Sequence, residues 1–103
     1  MRITQQGNEP NGGSRLDAAL RVVAGVIETV GQEHIELVTF TRDRVCVQPR
    51  VVADGEQIAR ALGLDFPIDQ RMFVPGHTLW TGVLQGLEVQ VRGALRQLTG
   101  TTW

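Results

Sequence analysis

The chain has 103 residues, which is one domain, and 42% of them are hydrophobic, enough for a single core. Ten basic residues against eleven acidic ones leave a net charge of -1, which excludes the broadly basic surface that nucleic acid or an anionic membrane attracts. A lone cysteine, Cys46, excludes an intramolecular disulfide and a cysteine-based metal site within the chain.

All ten basic residues are arginine, and tyrosine is absent. Lysine codons are A-rich, so this bias reads as a GC-rich genome rather than as a function. Residues 1–13, with Gln5, Gln6, Gly7, Asn8 and Pro10, have the composition of a mobile tail. They lack the apolar stretch of a signal peptide, and no run approaches the ~18–20 apolar residues of a membrane span. The expectation is a cytoplasmic protein with no membrane partner. A single domain is expected over 14–98, followed by a loose tail at 99–103.

Ser14 is placed to open the first helix, with Asp17 at the reciprocal position of a capping box. Leu16, Leu20, Val23, Ile27 and Val30 fall at helical spacing and are expected to face the core. Gly31 is placed to end the helix. Gly25 costs up to about 1 kcal/mol against alanine, and either a close backbone neighbour or simple tolerance accounts for it.

Residues 34–41 read as a strand, with Ile35, Leu37 and Thr39 on one face and Glu36, Val38 and Phe40 on the other. Residues 45–51 read as its hairpin partner. The link Arg42-Asp43-Arg44 is short and polar. Pro49 lacks an amide donor, so this strand is an edge there or is ending. Asp54 is placed to cap a second helix, with Gln57 reciprocating and Ile58, Ala61 and Leu62 as its apolar face. Gly63 ends it, and Pro67 confirms the end. Residues 70–74 are a strand candidate before the turn at Pro75-Gly76.

The segment 79–92 carries the strongest pattern. Two alternating runs flank Gln85-Gly86. Pairing outward from the turn sets Leu84 against Leu87, Gly82 against Val89 and Trp80 against Val91. The other face then holds Val83 against Glu88, Thr81 against Gln90 and Leu79 against Arg92. The first set is apolar and should face the core.

The element order is therefore α-β-β-α-β-β-β. The expected fold class is α+β: a mainly antiparallel sheet of four or five strands with two helices packed chiefly on one face. The expected core is Leu16, Leu20, Val23, Ile27, Leu37, Val47, Ile58, Leu62, Trp80, Leu84, Val89 and Val91.

Functional residues are sparse. His34 and His77 match no metal-ligand spacing, and Cys46 has no base near it in sequence. No phosphate-binding loop, nucleophile elbow or zinc-protease motif occurs, so no cofactor, metal or catalytic residue is expected. Leu79, Val83 and Arg92 lie on the hairpin face away from Trp80 and are the candidate interface. The hairpin is also a candidate sheet edge, and an edge invites pairing with a second copy. Arg42, Arg44 and Arg50 are the candidate nucleic-acid contacts, although Asp43 interrupts them and the surroundings are not basic. Trp80 with His77 is the candidate wall of a small-ligand or enzyme site.

Residues 34–93 resemble small α+β proteins of actinomycetes and their phages. The features are Val45-Cys-Val-Gln-Pro49, the helix end Ala61-Leu-Gly63, and the hairpin containing Trp80-Thr-Gly82 and Gly86-Leu-Glu-Val89. The resemblance brings no catalytic residue with it. The functional expectation is a non-enzymatic protein-interaction module, an adaptor or a phage-borne modulator of a host factor. Its expected partners are a second copy of itself and an unidentified protein.

Overall fold

The computed structural model describes residues 11–41 and 43–96. The elements run α1 (Asn11–Val30), β1 (Ile35–Thr41), β2 (Arg44–Pro49), α2 (Gly55–Ala61), β3 (Phe66–Gln70), β4 (His77–Leu84) and β5 (Leu87–Ala94). Short 3-10 turns, Gln32–His34 and Val52–Asp54, precede β1 and α2. The five strands form one sheet in the order β1-β2-β5-β4-β3. The β4–β5 register agrees pair for pair with the expectation, from Leu84 opposite Leu87 to Leu79 opposite Arg92. Both turn residues take positive φ, Gln85 at 52° and Gly86 at 80°, which is how a two-residue turn follows the strand twist.

The α+β class holds, and the described residues form a sheet of five strands with two helices. It is mixed rather than wholly antiparallel. β2 and β5 run parallel, while the other three pairings are antiparallel. The last hairpin is not an edge: β5 is the central strand, β4 is interior, and the edges among the described strands are β1 and β3. Hairpin links set only local neighbours. The excursion through α2, β3 and β4 is long enough to bring β5 in parallel beside β2.

The core lies between the helices and one face of the sheet. Ala19, Val22 and Val26 of α1 and Ile58 and Ala59 of α2 pack with Val45, Val47, Trp80, Val89 and Val91. Trp80 is 1% exposed. Arg60 and Arg96 place their guanidinium carbons 5.1 and 5.8 Å from its ring centroid, within cation–π range. Its indole Nε1 is buried with no hydrogen-bond partner among the described residues.

Several expected details are corrected. α1 begins at Asn11, so Ser14 lies inside the helix, and Asp17 pairs with Arg21 at 2.7 Å instead of closing a capping box. Leu16, Leu20 and Ile27 are 54%, 62% and 39% exposed rather than core. The apolar arc of α1 is wider than the sheet can cover, and the sheet takes the flank with the smaller side chains. Leu37 is 51% exposed because a β-bulge between Ile35 and Leu37 shifts the strand's phase. Ile35, Val38 and Phe40 then turn toward the core. Asp54 makes no side-chain cap, because a 3-10 turn leads straight into α2. Ala61 is exposed. The third strand is Phe66–Gln70, not 70–74, since an edge strand tolerates Pro67. Val51 falls beyond β2 and is exposed. Gly31 and Gly63 end their helices at φ of 94° and 79°, as expected. The tail expected over 1–13 falls outside the described residues up to residue 10, and 99–103 lies outside them as well.

Candidate functional site

Strand alternation puts half of the sheet's side chains on the face that neither described helix covers. The register aligns them in rows. Thr39 stands beside Cys46, Cys46 beside Gln90, Gln90 beside Thr81, and Thr81 beside Phe66. In a neighbouring row Arg44 stands beside Glu88, and Glu88 beside Val83. In another, Leu37 stands beside Gln48, and Arg92 beside Leu79, which adjoins Ile68.

The polar groups in the middle satisfy one another. Cys46 Sγ donates to Gln90 Oε1 at 3.8 Å, Gln90 Nε2 donates to Glu88 Oε2 at 3.1 Å, and Arg44 Nε donates to Glu88 Oε1 at 3.3 Å. Arg92 is exposed and has no ion-pair or hydrogen-bond partner among the described side chains. Around it lies a half-open hollow of about 430 Å³, lined by Leu37, Gln48, His77, Leu79 and Gln90 and closed on one side by Phe73. Phe73 comes from the 71–76 loop and lies 5.3 Å from the His77 ring, centroid to centroid. The volume is within the range of small-molecule pockets, but the site is shallow and its polar groups are mostly engaged with each other.

The hollow shows no nucleophile paired with a base. Cys46 turns to an amide. His77 lies two strands away and four residues further along, about 16 Å by strand geometry. No cluster of three or more metal-ligating side chains forms among the described residues.

The expected interface residues Leu79, Val83 and Arg92 all stand on this face, and Val83 is 69% exposed. Arg44 also stands there, tied to Glu88. Arg50 lies past the opposite end of β2, and Arg42 falls outside the described residues, so the described arginines of that group do not converge. His77 faces the hollow, whereas Trp80 faces the core, so the two do not line one site. Sequence reading placed Gln90 on the same face as Arg92 but missed Cys46, Gln48 and Phe73 as neighbours. Only the β2–β5 pairing brings Cys46 and Gln48 there, and no local pattern announces a parallel pair across more than forty residues.

Among the described residues no helix is long and apolar enough to cross a membrane. Comparison with family models, with curated proteins and with solved structures returns no match. Fold and face together define a small α+β protein whose sheet, among the described residues, is covered on one side and open on the other.

Proposed function

We propose that this chain is a non-enzymatic protein-interaction module that acts as a homodimer and holds a partner protein against the open face of its sheet. The observation that carries the reading is the one-sided cover of the sheet. Leu37, Phe66, Ile68 and Val83 are exposed around Arg92, which has no ion-pair partner among the described residues, and a largely satisfied polar row. Exposed apolar side chains gathered on one face mark a contact surface more often than a reaction site. The complementary partner carries apolar side chains and a carboxylate to meet Arg92. An adaptor or a phage-borne modulator of a host factor is a protein of this kind.

The test is comparative co-purification from the native cell with the wild type and with Leu79→Asp, Val83→Asp and Arg92→Glu combined. A partner retained by the wild type and lost by the variant is the expected result, with the variant's circular dichroism spectrum unchanged. Identical recovery of every protein by both overturns the reading.

A further inference from the structure

The two edges of the sheet are not alike. β3 is guarded: it is five residues long, contains Pro67, and carries Asp69 with Asp65 just before it. Proline and charge are the ordinary protections of an edge strand. β1 is seven residues long and has neither protection beyond the bulge. Its only charge is Glu36, inside the bulge, and residues 37–41 read Leu-Val-Thr-Phe-Thr. That is an uncharged, β-branched and aromatic segment whose outer backbone groups face no strand among the described residues.

The unpartnered strip on α1 lies on the same side of the molecule. Around the helix, Val22 and Val26 face the sheet, and Arg21, Gly25 and Thr29 face the side of Ala61 and Leu62 at α2. Leu16, Leu20 and Ile27 occupy the flank opposite α2, with Val23 and Val30 half-buried beside them. α1 packs on both β1 and β5 with α2 on its other side, so this flank is turned toward the β1 edge. Its spacing, 16-20-23-27-30, is the alternating four-three step of a helix–helix seam.

We infer that two copies of this chain join edge to edge through β1, with their α1 strips meeting above the junction. The inference rests on the homodimer reading and supplies its interface. Antiparallel pairing about a two-fold axis at Thr39 sets Val38 opposite Phe40 of the second copy, and Phe40 opposite its Val38. These are β-branched–aromatic pairs on the helix-covered face. The result is one ten-stranded sheet. Strands repeat at about 4.8 Å, so helices lying across β1 and β2 stand about 10–14 Å apart across the axis, near enough for long apolar side chains such as Leu20 and Ile27 to reach one another. The polar flank of α1 carries Asp17, Arg21 and Glu28, both signs, so the two copies do not repel.

Sedimentation equilibrium across a concentration series tests this, together with amide hydrogen exchange of residues 37–41. The wild type is expected to reach twice the chain mass, with these amides more protected as concentration rises. Leu20→Glu with Ile27→Glu raises the dimer dissociation constant about a hundredfold, since two exposed apolar anchors are lost. Thr39→Lys sets like charges face to face and raises it about tenfold. Val83→Glu, on the open face, leaves it within about twofold, as remote surface changes do. All these sites are exposed in the single chain, so the variants keep the fold. A dimer broken by Val83→Glu and insensitive to the other changes overturns the inference and moves self-association to the open face. A wild type that stays monomeric overturns both the inference and the homodimer, whereas partner capture through Leu79, Val83 and Arg92 is decided by its own experiment.

Discussion

Asp69 is the most strongly held ionisable group among the described residues. Its Oδ1 accepts from Thr78 Oγ1 at 2.7 Å and from Arg96 Nε at 3.1 Å, and its Oδ2 accepts from Arg96 Nη2 at 2.9 Å. The Arg96 hydrogen bonds, then that of Thr78, hold the carboxyl at about 2, below its ordinary 3.8. A lowered folded-state value means the contribution is present above pH 3.8 and is lost as pH falls toward 2. Thermal melts should therefore show the wild type losing stability across that window more steeply than Asp69→Asn. Asp69→Ala leaves the Thr78 hydroxyl without its acceptor and should cost about 1–3 kcal/mol at neutral pH in urea denaturation. Trp80→Ala empties the centre of the core and should cost about 3–5 kcal/mol. At the turn, Gln85 sits at φ 52° with a side chain ill suited to that region. Gln85→Asn should raise stability by about 0.5 kcal/mol, read by the same method.

At the scale of elements, the first turn of α2 lies directly on β5. A Cβ on Gly55 would overlap the Arg92 carbonyl oxygen and the Gly93 Cα, so backbone meets backbone there. Gly55→Ala should force the two apart at about 1–3 kcal/mol, measured by denaturation. Gly25 is the opposite case, with nothing within 4 Å of an added Cβ. Gly25→Ala should stabilise α1 by up to about 1 kcal/mol. This is tolerance, not close approach, and sequence had left both open. The hairpin was legible because its register depends on a turn and two alternating runs, all local. β1 was half legible: its existence follows from residue types, but the bulge after Ile35 changes which residues face inward, and no residue in the segment signals it. β3 was less legible, because Pro67 reads equally as the stop after a helix and as a member of an edge strand.

For the whole molecule, the proposed function follows from what the described fold leaves uncovered. Two helices are enough for one face of a five-stranded sheet. Among the described residues the open face and the β1 edge stay uncovered, and we propose a separate partner for each. Sequence by itself determined the order of elements, the inward direction of Trp80 and the placement of Leu79, Val83 and Arg92 on the opposite face, because alternation along a strand is a property of the chain. Only the tertiary structure decided strand order, the parallel β2–β5 contact and which flank of α1 is buried. Those depend on which surfaces meet across long separations, and an apolar arc wider than its cover offers no local sign of the side that stays in water.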